Sequence, residues 1–202
     1  AGTAPYTFTY TINGGANLTV TSVGNTATVS APTTAAGTFN YSLVSVQDAS
    51  TTACTQAQVG STIITVNPLP TATISGTASV CQNGTNPTLT FTGAAGTAPY
   101  TFTYNINGGA AQTVTSVGNT ATVSAPSTTV GTFAYNLVSV QDASSTACVQ
   151  AQVGSALVTI NALPVVNAGN DLSICDGSTA VLTASGALSG TGTGIYTWDN
   201  GV

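Results

Sequence analysis

The chain has 202 residues, a formal net charge of −5, no Lys, Arg or His, and only 2 % charged residues, against roughly 25 % in ordinary soluble domains. Without cations there is no surface to neutralise phosphates, which excludes nucleic-acid binding and polybasic attachment to anionic lipid. No apolar run approaches the ~20 residues of a membrane-spanning helix, and a 42 % hydrophobic content with so little charge is not that of a disordered chain. Thr and Val favour strands, while Gly, Asn and Pro supply turns, so the composition points to an all-β chain with tight turns.

In chain order, the first signal is Ala1-Gly-Thr-Ala-Pro-Tyr-Thr-Phe-Thr-Tyr10, which recurs as residues 95–104. The offset of 94 holds without a gap, and residues 1–70 match residues 95–164 at 55 of 70 positions. That period is too long for a solenoid and fits the ~100 residues of an immunoglobulin-like sandwich. Asn67-Pro-Leu-Pro70 and Asn161-Ala-Leu-Pro164 read as stiff linkers that end strands. The expected organisation is therefore tandem immunoglobulin-like β-sandwich modules. Residues 1–69 are the latter part of one repeat, 70–163 a complete repeat, and 164–202 the opening part of a third, divergent one. So divided, the chain reads as an excerpt from a longer mature protein.

Within the complete repeat, period-two alternation predicts strands over 71–75, 78–81, 88–92, 100–106, 112–116, 120–125 and 131–140, with 148–160 closing the module. The second of these is expected to continue the edge begun by the first. Asn107-Gly-Gly109 is a hairpin turn, because Asn and Gly accept positive φ at little cost. Tyr100, Phe102, Tyr104 and Ile106 alternate onto one face, and this aromatic row reads as core rather than as a sugar-stacking platform. Thr101, Thr103, Thr120 and Thr122 read as solvated β surface.

The four cysteines recur at the same offset, Cys54 with Cys148 and Cys81 with Cys175. Such recurrence in a Lys-free β chain suggests disulfides and an oxidising compartment. Three pairings are possible, besides four unbridged buried thiols. Cys81–Cys148 is preferred, because Cys54 and Cys81 would lie about one strand length apart, roughly 30 Å, whereas a bridge needs Cα atoms within about 7 Å. Cys54 and Cys175 are then left without partners in this stretch. No CxxC or His accompanies the thiols to suggest a metal.

The acids are Asp48, Asp142, Asp171, Asp176 and Asp199. Asp48 and Asp142 are one position seen twice, so each repeat has a single carboxylate there and no base to work with it. A Ser or Cys nucleophile would likewise lack a His or Lys to activate it, so no catalytic residue and no cofactor are expected. Asp171 and Asp176 are weak calcium candidates, since a calcium site takes several carboxylates or carbonyls; solvated turns are the simpler reading. Asn17-Leu-Thr19, Asn40-Tyr-Ser42 and Asn83-Gly-Thr85 match the N-glycosylation pattern, which matters only in a host with that machinery. Trp198 is expected to be the buried Trp of the third repeat.

Gly96-Thr-Ala-Pro-Tyr-Thr-Phe-Thr-Tyr-Asn-Ile-Asn-Gly-Gly109, Leu137-Val-Ser-Val-Gln-Asp-Ala-Ser-Ser-Thr-Ala-Cys148 and Val66-Asn-Pro-Leu-Pro70 resemble repeats of giant surface proteins of Bacteroidota. These are long immunoglobulin-like and PKD-like adhesins, gliding-motility adhesins among them. Val166-Asn-Ala-Gly-Asn-Asp-Leu-Ser-Ile-Cys-Asp-Gly177 and Tyr196-Thr-Trp-Asp-Asn-Gly201 look like the start of a second repeat type common in the same proteins. The resemblance implies export by type IX secretion, display on the bacterial outer surface and an adhesive or filament role, with no catalytic residues to carry over. Neighbouring repeats of the same chain are the implied partners, with surface polysaccharide or the secretion and motility machinery as further candidates and no direct membrane insertion. Two alternatives are a carbohydrate-binding accessory module of a secreted enzyme and a strand-exchanging subunit of an extracellular fibre.

Overall fold

The computed structural model describes residues 2–187, and every regular element among them is a β-strand. No helix among them is long and apolar enough to cross a membrane, which says nothing of strands. Trp198, Asp199 and the Tyr196–Gly201 motif lie outside the described residues. The chain divides into two compact units, Ala1–Leu69 with Ser144–Cys148, and Pro70–Ala143 with Val149–Val202.

The first unit holds β1 (Thr7–Ile12), β2 (Leu18–Thr21), β3 (Gly37–Gln47), β4 (Thr55–Ala57) and β5 (Ser61–Val66). They form one sheet in the order β2-β1-β3-β4, with β5 paired to the first half of β3. Asn13 and Gly14 turn β1 into β2 with φ of 51° and 69°, as the Asn-Gly pair predicts. The Asn13 side chain then accepts the Asn40 amide at 2.8 Å, tying the turn to β3.

The second unit holds β6 (Thr71–Ser75), β7 (Ala78–Cys81), β8 (Thr88–Ala94), β9 (Thr101–Ile106), β10 (Gln112–Thr115), β11 (Thr120–Ser124), β12 (Gly131–Gln141), β13 (Val149–Ala151) and β14 (Ser155–Asn161). One sheet runs β10-β9-β12-β14-β7 with β13 added to β12; the other runs β11-β8-β6. Both face one apolar core. Leu89, Phe91, Phe102, Val140 and Val158 are fully buried in it, and the Phe91 ring centroid on one sheet lies 5.6 Å from that of Phe102 on the other. Full burial of such side chains stabilises by roughly 1.5–3 kcal/mol each.

The sequence-predicted strands of this repeat all appear, with two corrections. β7 does not continue the edge begun by β6: β6 pairs with β8 in the small sheet, and β7 pairs in parallel with β14 in the large one. The chain changes sheets at Gly76, whose φ of +112° disfavours any side chain and where a Cβ would meet the Thr88 carbonyl oxygen at 2.5 Å. The closing strand is also two strands, because Gln152-Val-Gly154 interrupts it and instead bonds β12 through Gln152 N to Val138 O and Leu137 N to Gly154 O.

Residues 94 apart build the same sheet twice. β1, β2, β3, β4 and β5 correspond to β9, β10, β12, β13 and β14. The pairing of β1 with β3 and of β9 with β12 follows one register, with the irregularity at the same place. Thr26-Ala-Thr-Val-Ser30 repeats the sequence of β11 letter for letter, yet it makes only an isolated bridge from Thr26 to Val23. The reason is pairing: β11 takes its ladder from β8, and residues 2–69 contain no counterpart of β8. Beyond the second linker, β15 (Val165–Asn167) pairs antiparallel with β16 (Ser185–Ala187). This ladder resembles that of β6 with β8, and Leu182-Thr-Ala-Ser-Gly-Ala187 parallels Leu89-Thr-Phe-Thr-Gly-Ala94.

Candidate functional site

The acid that recurs at the same place in the two units, Asp48 and Asp142, sits in the turn after the longest strand of each. In the first unit Asp48 Oδ1 accepts the Cys54 amide at 2.9 Å and the Ser50 hydroxyl at 2.7 Å, while Oδ2 accepts the Thr3 amide at 3.2 Å. Thr3 answers by accepting the Ala49 amide at 2.8 Å. In the second unit Asp142, 4 % exposed, accepts the Thr97 amide at 3.1 Å, and Thr97 accepts from Ala143 at 2.8 Å. The carboxylate is thus a clip that joins two loops through their backbone amides.

The Ser50 hydroxyl holds the Asp48 carboxyl below its ordinary value, with desolvation opposing and the Thr3, Ser50 and Cys54 amides assisting. A depressed folded-state value means that the clip's contribution is present above the unfolded value near pH 4 and is lost as pH falls through the lower folded one. The amide resonances of Thr3 and Cys54 are therefore expected to titrate together below pH 4. Asp48→Asn should abolish that titration. Titration at or above the ordinary carboxyl value would show that the clip does not form.

The preferred Cys81–Cys148 bridge is overturned by strand register. No disulfide forms among the described residues; Cys54, Cys81 and Cys175 are exposed and Cys148 is half-buried. Cys81 stands opposite Asn161 on β14, next to the Ile160 that pairs with Gly131 at the start of β12. Cys148 precedes Val149, which pairs with Gln141 at the end of β12. The two thiols therefore lie at opposite ends of an eleven-residue strand, a separation of about 33 Å at roughly 3.3 Å per residue. A disulfide spans at most about 7 Å between Cα atoms. Cys148 instead has its sulfur 3.1 Å from the Thr146 hydroxyl, as Cys54 has its own 3.3 Å from Thr52.

Asp171 and Asp176 are both exposed on the irregular stretch between β15 and β16. No three His, Cys, Asp or Glu side chains gather among the described residues, so Asp171 and Asp176 meet no third such side chain there. Of the three glycosylation-type asparagines, Asn17 and Asn83 are exposed in turns and Asn40 is half-buried in β3.

Tyr100, Phe102 and Tyr104 are 2 %, 0 % and 5 % exposed, so in the second unit the aromatic row is core and offers no sugar platform. Thr120 and Thr122 face solvent, whereas Thr101 and Thr103 are half-buried. The first unit differs, although its sequence is nearly the same. Phe8, Tyr10, Tyr41, Leu43 and Ile64 are only half-buried, and with Val20 they line an open groove of about 570 Å³. The side chains already hold the arrangement seen in the covered core: Tyr10 and Tyr41 stack at 6.2 Å, as Tyr104 and Tyr135 do at 6.3 Å. The Tyr41 hydroxyl is buried with no hydrogen-bond partner. The groove lies where residues 71–94 cover the second unit; residues 1–69, read from the sequence as the latter part of one repeat, hold no counterpart of that segment.

No protein-family model and no curated protein matches the chain.

Proposed function

We propose that the chain is a structural and adhesive repeat segment of a large secreted cell-surface protein, an immunoglobulin-like stalk or filament of the kind found in giant Bacteroidota surface adhesins, and that it is not an enzyme. The observation that carries this reading is duplication: 55 identities in 70 positions, at a fixed offset, build one sheet twice in one register. Near-identical modules add length; a recognition or catalytic module diverges as its site is shaped. The chemistry agrees. There is no His, Lys, Arg or Glu, and the recurrent Asp is spent on backbone amides. With no Lys or Arg, the chain also offers no trypsin-like cleavage site, which suits a segment exposed to extracellular proteases.

The test is an antibody raised against the 202-residue chain and applied to intact cells of the producing organism. Surface labelling that survives trypsin and is removed by a protease of broader specificity is the expected result. Labelling only after the cells are opened would overturn extracellular display. A glycan array in parallel separates the carbohydrate-binding alternative, for which strong, glycan-specific retention is required.

A further inference from the structure

Three Asn-Gly pairs lie exposed in turns among the described residues: Asn13-Gly14, Asn83-Gly84 and Asn107-Gly108. Such a pair can cyclise on itself. The glycine amide nitrogen attacks the Asn side-chain carbonyl carbon, and a glycine has no Cβ to obstruct the approach. The nitrogen must first give up its proton, so a glycine amide already held in a hydrogen bond is a poor nucleophile.

In two of the three pairs the amide is held. Gly84 N donates to the Cys81 carbonyl at 3.0 Å. Gly108 N donates to Asn105 Oδ1 at 2.9 Å, and Asn136 Nδ2 steadies that same oxygen at 3.0 Å. In the first unit Thr11 stands in the place of Asn105 and Ser42 in the place of Asn136. The Gly14 amide accordingly meets no acceptor among the described residues. The carbonyl to be attacked is polarised in both hairpins. Asn13 Oδ1 accepts the Asn40 amide at 2.8 Å, and Asn13 Nδ2 donates to the Thr38 carbonyl at 3.3 Å. Asn107 Oδ1 accepts the Ala134 amide at 2.7 Å. A donor on that oxygen stabilises the oxyanion that attack creates. Asn107 thus has an activated carbonyl beside a held nucleophile, whereas Asn13 has the activated carbonyl and an amide that nothing holds. The difference comes from the side chains at positions 11 and 42, within paired strands.

We propose that Asn13 is a self-modifying site, whose side-chain amide hydrolyses through a cyclic imide with Gly14 while Asn83 and Asn107 are preserved. Hydroxide takes the Gly14 amide proton, and the nitrogen bonds to Asn13 Cγ. The Cγ–Nδ2 bond breaks, and Nδ2 takes a proton from water and leaves as ammonia. Water then opens the imide at either carbonyl, giving aspartate or isoaspartate. One water enters, one ammonia leaves, and nothing is oxidised. The new carboxylate adds one negative charge to a chain of net charge −5. Aspartate keeps an oxygen for the Asn40 amide. Isoaspartate runs the backbone through Cβ and Cγ, which lengthens the turn and releases its tip from β3. The reaction marks one of two nearly identical repeats, and it stands apart from the stalk reading.

The test incubates the purified 202-residue chain in mildly alkaline buffer made with heavy-oxygen water. Digestion with pepsin in ordinary acidic water follows, so that only conversions in the folded chain carry label. Peptides covering Asn13 are expected to take up heavy oxygen roughly two- to tenfold faster than those covering Asn83 or Asn107, the rate equivalent of one intramolecular hydrogen bond. In chain unfolded by urea the three pairs should convert at similar rates. Thr11→Asn with Ser42→Asn should slow Asn13 by the same factor, and Asn105→Thr should quicken Asn107. Hydrogen exchange in β1 and β9 reports whether each variant is folded. Equal labelling of the three pairs in the folded chain overturns the proposal, as does faster conversion at Asn83 or Asn107 than at Asn13. So does a folded variant whose rate stays at that of the original chain. The comparison among the three pairs needs no substitution, so it decides the matter even where a variant fails to fold.

Discussion

Replacing Phe102 with Ala is expected to destabilise the second unit by about 3–5 kcal/mol, and the same change at Phe8 to cost the first unit far less. The two residues hold the same place in nearly identical sequence, so the difference isolates burial. Phe102 is 0 % exposed, with its ring centroid 5.6 Å from Phe91 and 6.2 Å from Tyr100. Truncation there removes the transfer energy of a whole ring and leaves a cavity between two sheets that can close only in part. Phe8 is half-buried on the wall of an open groove. Truncating it widens a space already open to water, so no cavity term is added. The measurement is urea unfolding followed by hydrogen exchange, with peptides from β1 and β9 read separately so that each unit reports its own stability. Equal losses in the two units would mean that Phe8 is covered in solution.

The second large effect is expected at Gly93. It lies in β8 beneath the Tyr100 ring, and a Cβ there would stand 2.5, 2.6 and 2.9 Å from three ring carbons. The ring cannot withdraw. The Tyr100 amide donates to the Ser116 hydroxyl at 2.6 Å, and the Tyr100 hydroxyl donates to the Gly96 carbonyl at 2.8 Å. Gly93→Ala should therefore cost about 1–3 kcal/mol or somewhat more, the usual range for overpacking a filled core. Tyr100→Ala will also destabilise, through lost burial. The Gly93→Ala/Tyr100→Ala double variant should be more stable than the sum of the single losses predicts, because the clash goes with the ring; residues in contact couple in this way. Strict additivity in thermal melts would show that the ring does not rest on Gly93.

Much of the fold was legible one strand at a time. Alternation placed β6 to β12 to within a few residues, because a strand half-buried on one face writes that face into every second position. The aromatic row was read inward, and Tyr100, Phe102 and Tyr104 are core. Asn107-Gly-Gly109 was read as a turn, and Asn107 and Gly108 have φ of 53° and 73°. The cysteines show where this reading stops. Their recurrence was visible, but the distance between Cys81 and Cys148 depends on which strands are neighbours. Period two says which side of a sheet a residue faces, not which sheet it joins. β7 joins the large sheet through a parallel pairing with β14, about eighty residues later in sequence, and nothing in Ala78–Cys81 announces that partner.

The pentapeptide Thr-Ala-Thr-Val-Ser makes the division concrete. It occurs at 26–30 and at 120–124; in the stretch with no ladder Ala27 is half-buried and Val29 42 % exposed, while within the ladder their counterparts Ala121 and Val123 are 7 % exposed and half-buried. Its strand propensity is the same in both places, and only one has a neighbour to bond. By itself the sequence determined the repeat, the β-strand alphabet, the inward residues and the lack of His, Lys, Arg and Glu, since these follow from residue type and spacing along the chain. Tertiary structure alone decided which strands pair and which cysteines stand far apart. Those depend on long-range backbone pairing, where a strand's stability comes from the partner it meets rather than from its own residues.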